Sequence, residues 1–258
     1  MINMKISKLE ELAKSVRKRI FNFKTKSGYG HLASCLSCVD IVTSLYHDDK
    51  TAFDHAEDVL IFSKAHGSPS VYPILADLGY YDESELEKYC TPEGILRLHS
   101  DSTIPGCHFV GGSLGNGIGY AAGFAHGSEK NVYVILGDAE LYEGSVWESL
   151  MFIAHHGINL TMIVDRNAMG ILGKTEELLK LEPLHQKFES FGFETYTIDG
   201  HNFEQLRQVF QRKSTQPRVV ITNTIKGKGV SYMEDLWQYH TIIPKSEEDI
   251  EQGLEELS

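Results

Sequence analysis

The sequence predicts an α/β protein: a parallel sheet with helices on both faces. Short apolar, β-branched runs alternate with stretches of helical spacing along most of the chain, the pattern of strands joined by helical crossovers. Segment 132–173 gives the repeating unit in full. Apolar runs at 132–136 and 160–164 flank a helical stretch at 143–156. Runs of that length without polar alternation are strands buried on both sides, and a strand–helix–strand unit joins parallel neighbours. Gly137-Asp138 closes the first run and Asp165-Arg166-Asn167 the second. Asp138 and Asn167, 29 positions apart, are therefore expected at one rim, where open α/β sheets bind ligands.

From the amino end, residues 6–24 carry Leu9, Leu12, Val16, Ile20 and Phe23 at helical intervals, an amphipathic helix with Ser7 as its cap. Ser27-Gly28-Tyr29-Gly30-His31 breaks that pattern, and residues 36–46 resume a helix. His31, after a glycine turn and before a helix, is placed either to face a cleft or to close the turn. Residues 59–63 read as a strand ending at Lys64-Ala65-His66, which sets His66 at the same rim. Residues 70–78 read as a helix and 80–91 as a small acidic one.

The aperiodic stretch 91–110, with Pro92, Pro105, Gly94 and Gly106, is long for a connection and is expected to be functional; it carries His99 and His108. The glycine-rich run 111–119 leads into a helix at 120–126. It either packs closely on a neighbour or turns helix N–H groups towards a ligand. It is a poor dinucleotide fingerprint, because no buried strand precedes it, and a nucleotide-dependent dehydrogenase is the weakest reading.

Beyond the central unit, helices at 183–191 and 202–213 alternate with strands at 193–198 and 218–224. His201 sits in a turn and reads structurally. The segment Lys226-Gly227-Lys228-Gly229 follows the last strand, where two lysines among glycines suit an anion or a flexible basic loop. Residues 247–258 read as a frayed acidic tail.

With 258 residues and 41% hydrophobic content, one domain over 1–258 is expected. The formal charge of −12 argues against nucleic acid or an anionic membrane surface as partner. No stretch approaches the ~18 apolar residues of a spanning helix, and the amino end lacks a signal peptide's apolar core, so a cytoplasmic protein is expected. Of the four cysteines, Cys35 and Cys38 form a CxxC with no second pair to complete a zinc site. They read as two small buried residues on a helix.

Two oxygen-bearing side chains at neighbouring strand ends suit a hard divalent cation, and magnesium completes its shell with phosphate and water. A Gly-Asp pair followed by an Asn after one crossover resembles the thiamine-diphosphate signature. The wording Asp138-x-x-Leu141-x-Glu143-Gly144 with Val164-Asp165-Arg166-Asn167 is similar to transketolases in particular. Gly28–His31, Phe62–His66, 111–117 and 225–229 follow in the order of that family's diphosphate-binding half.

The resemblance implies a thiamine-diphosphate-binding (PP-module) fold. It implies Mg2+ (Ca2+ is possible) on Asp138, Asn167 and the Met169 carbonyl. His66, Gly112, Leu114 and His240 would contact the cofactor, together with Gly137, Ala139 and Glu140 around the metal motif. His31, His99, Glu143 and His240 would carry the catalytic roles, with Glu143 in an acidic network between paired sites. Three departures stand out: Ala139 replaces a glycine, Ser113 replaces a proline, and 241–244 is less polar than the family pattern.

In transketolases, the carboxylate that activates the aminopyrimidine ring lies in a second module, outside the part of the family that these 258 residues resemble, so the resemblance implies that another polypeptide brings it. The resemblance is therefore to the N-terminal subunit of a split transketolase, a heterotetramer that moves a two-carbon ketol unit from a ketose, phosphorylated or otherwise, to an aldose. Other readings are a subunit of a thiamine-diphosphate enzyme acting on a 2-oxoacid (deoxyxylulose-phosphate-synthase-like or 2-oxoacid-dehydrogenase-like), or a non-catalytic cofactor-binding subunit.

Overall fold

The computed structural model describes residues 4–258. The first helix, α1, runs Ile6–Ser27 and starts after Lys5, with no side-chain cap; Ser7 lies inside it rather than capping it. Gly28 ends α1 at φ +71, a left-handed conformation that favours glycine. Helix α2, Leu32–His47, starts immediately after His31, earlier than its apolar spacing suggests, and carries Cys35 and Cys38 fully buried on its inner side.

Strand β1, Val59–Phe62, is followed by a 3-10 turn over Ala65–Ser70 and a short helix α3, Tyr72–Asp77, within the helix expected over 70–78. Pro69, which cannot donate a backbone hydrogen bond, lies within that turn. The expected acidic helix is a 3-10 turn, Glu83–Lys88, opened by Asp82. Helix α4, Asn116–His126, leads to β2, Val132–Gly137; a 3-10 turn, Ala139–Tyr142, then precedes α5, Gly144–His156. Strand β3 is Leu160–Arg166, and helices α6, Thr175–Leu178, and α7, Leu184–Ser190, cross to β4, Glu194–Asp199. Helix α8, Phe203–Phe210, capped by the Asn202 side chain, returns to β5, Arg218–Asn223.

All pairings are parallel, in the order β1-β2-β3-β5-β4. Alternate side chains of each strand point to opposite faces, and two apolar clusters record it. Val59, Ile61, Val134, Leu136, Met162, Val164 and Val219 join α4, α5 and α7 on one face. Leu60, Phe62, Tyr133, Ile135, Ile163 and Val220 join α1, α2 and α8 on the other. A sheet covered on both sides is the reason these strands lack polar alternation.

The acidic tail is not frayed. Residues Glu247–Glu256 form helix α9, started by Ser246, whose side chain accepts the Asp249 N–H at 3.1 Å. Gly253 faces Phe21 of α1 so closely that a Cβ there would lie 2.4 Å from the ring, and Leu257 is buried. A glycine notch and one apolar anchor dock this helix despite its charge.

Candidate functional site

Register fixes the site. Gly137 on β2 pairs with Asp165 on β3, so Asp138 and Asn167 leave adjacent strands at the same rim. Together with Lys64 and His66 from the end of β1, Leu114, Met169 and Ile171, and Lys226 and His240 beyond β5, they line one cavity of about 210 Å3. Gly137, Ala139 and Glu140 share its wall. A more open groove of about 620 Å3 runs along the edge strand β4 past Tyr196 and Arg212. It lies away from the strand tips and gathers none of these groups, so the smaller cavity is the candidate.

Asp138 is buried. Its Oδ2 accepts Arg166 Nη1 at 3.0 Å and the Ala168 N–H at 2.6 Å, and its Oδ1 accepts the Ala139 N–H at 2.8 Å. Burial raises its carboxyl above the ordinary range, against the pull of Arg166. A carboxylate kept dry at a cavity wall stands ready for a cation. Asn167 Oδ1 accepts the Met169 N–H at 3.1 Å, while its Nδ2 donates to Asp165 Oδ2 at 3.2 Å, so its oxygen is turned towards the Met169 side of the loop. The donors these strand tips offer are oxygens, and they fit a hard divalent ion.

Ala139 adapts to its position without strain: it lies in the 3-10 turn and takes no positive φ. The left-handed residue is instead Ala168, at φ +62, held by its N–H to Asp138. The left-handed backbone thus falls after β3, and Ala139 after β2 avoids it.

Four histidines meet here. The rings of His31, His66 and His240 lie 5.1–5.2 Å from one another by centroid, and His99 is 6.0 Å from His31. They arrive from the start of α2, the end of β1, the long loop and the segment after β5. His108 stays apart; its carbonyl accepts the Tyr120 hydroxyl at 3.2 Å. Burial, followed by nearby lysines, lowers His31 to about 4 and His240 to about 3, and puts His66 well below the imidazole norm. His99 is lowered too, again mainly by burial. All four are neutral at physiological pH. His31 Nδ1 is buried without a hydrogen-bond partner, an imidazole nitrogen left for a ligand or for water.

Beneath the histidines lies a polar layer of which the sequence reading singled out Lys226 but not the pairing of Lys64 with Asp165. Lys64 pairs with Asp165, both almost fully buried, and Ser37 donates to the same carboxylate at 2.7 Å. Burial alone would raise Asp165, but Lys64 overrides it and holds the carboxyl down at about 2. Lys226 Nζ donates to Ser34 Oγ at 2.8 Å and lies 3.2 Å from His240 Nδ1; burial and then Lys64 lower it to about 7. The signal for Lys64 and Asp165 was their place at the ends of buried strands, where a charge needs a partner. Arg166 was read only as part of a motif, yet it ties Asp138 to Glu176 and Glu182 at 3.3 and 3.2 Å.

The glycine run packs closely and also meets an acid. A Cβ on Gly117 would sit 2.5 Å from the Ser63 Cα, and the Gly115 N–H donates to Glu140 Oε1 at 2.8 Å. Gly112 takes φ +155 beside His99, and Leu114 reaches the cavity. Glu143 is not drawn in: it is exposed, immediately before α5 and near Gly115. Among the described residues no helix is long and apolar enough to cross a membrane.

Comparison with known proteins places this geometry. The family model for "Transketolase, thiamine diphosphate binding domain" matches residues 9–257. A subunit of the apulose-4-phosphate transketolase of Actinobacillus succinogenes is 35% identical, over 99% of this chain and 98% of its own length. A subunit of the 6-deoxy-6-sulfo-D-fructose transketolase of Clostridium sp. is 34% identical, over 91% of this chain and 90% of its own. Among solved structures, Campylobacter jejuni transketolase superposes with a TM-score of 0.87 at 28% identity, over 98% of this chain but only 43% of that one. Rim geometry, a match over nearly the whole length and relatives of equal size agree: this chain belongs to the transketolase family, as a thiamine diphosphate binding domain.

Proposed function

We propose that this chain is the metal- and diphosphate-holding subunit of a two-chain transketolase, moving a two-carbon ketol unit from a ketose to an aldose. The observation that carries the reading is one cavity lined by Asp138, Asn167, His66 and His240, with the His31 ring packed against both histidines and His99 beside His31. Thiamine diphosphate, when bound, supplies the electron sink that carbon–carbon cleavage needs. Asp138, Asn167 and the Met169 carbonyl would hold magnesium, or calcium in its place; Lys226, His66 and His240 would face the diphosphate, and Leu114 would support the cofactor's apolar side.

His31 and His99 are assigned to the substrate. A neutral imidazole can take a hydroxyl proton and return it, and His31 Nδ1 has no protein partner competing for it. Burial lowers His31 most, and Lys24, itself buried 2.9 Å from the Tyr89 hydroxyl, adds to that shift. Glu143, on the surface, is assigned to contacts between subunits.

Relatives of equal length named as subunits support a second chain, which would bring the activating carboxylate, most simply in an α2β2 assembly. Both relatives' names specify sugars with an anionic group, phosphate or sulfo. We assign this chain's complex a donor of that class. The test is to copurify the chain with a candidate partner bearing a pyrimidine-binding module, then offer a ketose phosphate or pyruvate as donor. Ketol transfer only with both chains present and only from the ketose is expected. Turnover by this chain alone, or from pyruvate only, rejects the assignment.

A further inference from the structure

His201 lies outside the cavity, in the turn between β4 and α8. The turn explains its backbone, since its N–H donates to Asp199 Oδ1 at 2.8 Å. It does not explain the ring, which is engaged at both nitrogens. Nδ1 lies 2.6 Å from Asp40 Oδ2, and Nε2 accepts the backbone N–H of Ile225 at 2.8 Å. An amide N–H only donates, so Nε2 carries no proton and Nδ1–H points to the carboxylate. Asp40 on α2 is in turn gripped at both oxygens by Arg17 of α1, at 2.9 and 2.5 Å. Burial alone would raise its carboxyl; Arg17 and His201 more than offset this and keep it charged. A relay of side chains thus runs from two helices to the loop beyond β5.

That loop supplies part of the cavity wall. Ile225 precedes Lys226, whose Nζ reaches Ser34 and His240. On the other side, the Gly227 N–H is held by the Ala33 carbonyl at 3.0 Å. Lys226 is therefore fixed between two anchored amides, one tied to the α2 backbone and one to an imidazole. Gly227 and Gly229, at φ +80 and +95, give the loop little stiffness of its own.

We propose that His201 is a positioning residue: braced on Asp40, it holds the Ile225 amide and thereby sets Lys226, with His240 beside it, at the cavity wall. Neither shorter nor longer carboxamides replace both of its bonds. Asparagine reaches the Nδ1 place and can still donate to Asp40, leaving the Ile225 N–H without an acceptor. Glutamine puts its oxygen near the Nε2 place and keeps that bond.

Long-range proton–nitrogen spectra of the chain labelled with 15N-histidine read the tautomer directly. In the unmodified protein His201 is expected as the Nδ1–H form; an Nε2–H form overturns the proposal without any variant. In His201→Asn, the His240 ring resonances are expected to move and Ile225 amide exchange to quicken by about tenfold or more, with His201→Gln restoring both. A folded His201→Asn with His240 and Ile225 unchanged also overturns it. A calorimetric arm uses inorganic diphosphate with Mg2+ and rests on the cofactor reading above. Binding about tenfold weaker in His201→Asn and near normal in His201→Gln is expected. Absence of diphosphate binding by the unmodified chain would sink that reading, while the spectra still decide the role of His201.

Discussion

Asp138 has one charged partner, Arg166, and that arginine keeps Glu176 and Glu182 if the carboxylate is removed. Asp138→Ala is therefore expected to fold. In the assembled complex it should weaken Mg2+-supported thiamine diphosphate binding by about 100-fold or more, measured by calorimetry; unchanged affinity would show that the ion sits elsewhere. The histidines set a pH window. Their folded-state values, about 4 for His31 and about 3 for His240, lie below the ordinary imidazole value of 6.5, so the unfolded chain takes up protons first. Their contribution to stability is complete above pH 6.5 and is lost as pH falls towards 4 and 3. Asp165, held at about 2, adds a loss that starts only below the ordinary carboxylate value of 3.8. The melting temperature should begin to fall below pH 6.5, less steeply in His31→Gln with His240→Gln, and a flat profile down to pH 4.5 would contradict the neutral cluster. His66 and His31 stood out in the sequence because one follows a strand end and the other a glycine turn, and His99 because it lies in the long aperiodic stretch; His240 entered only through the family resemblance. The Lys64–Asp165 pair was not legible, since residues 101 positions apart meet only once β1 and β3 are placed.

Strands β1, β2 and β3 were the most legible elements, because burial on both faces leaves a largely apolar run; β4, at the sheet edge, carries no such run. Helix α9 was the least legible. Its composition reads as a solvated terminus; the Ser246 cap that starts it is local, but the Gly253 notch that docks it depends on Phe21, more than 200 positions away in sequence. Substituting Gly253→Ala should force the Phe21 contact apart and cost about 1–3 kcal/mol, read by denaturant unfolding. A stabilised variant, following helix propensity alone, would mean that α9 is not docked. Helix α2 carries its cysteines as their small apolar side chains suggest, buried, with Cys38 Sγ 3.4 Å from the Asp165 carboxylate and no role beyond packing required. Helix α3 is shorter than its apolar spacing predicts because that spacing does not register the 3-10 turn before it.

Across the whole molecule, the sheet order β1-β2-β3-β5-β4 brings the ends of β1, β2, β3 and β5 to a single rim. Composition and alternation predicted a parallel sheet but not this order, which depends on β4 crossing to the edge before β5 returns beside β3. The order matters because it carries Lys226 and His240 to the tips that bear Asp138 and Asn167. Crystals of the two-chain complex grown with thiamine diphosphate and Mn2+ would place the ion by its anomalous scattering. One peak per copy of this chain, between the side chains of Asp138 and Asn167 and beside the Met169 carbonyl, is the expected result. A cofactor bound with its ion elsewhere, or with these side chains turned away from it, would contradict the site described.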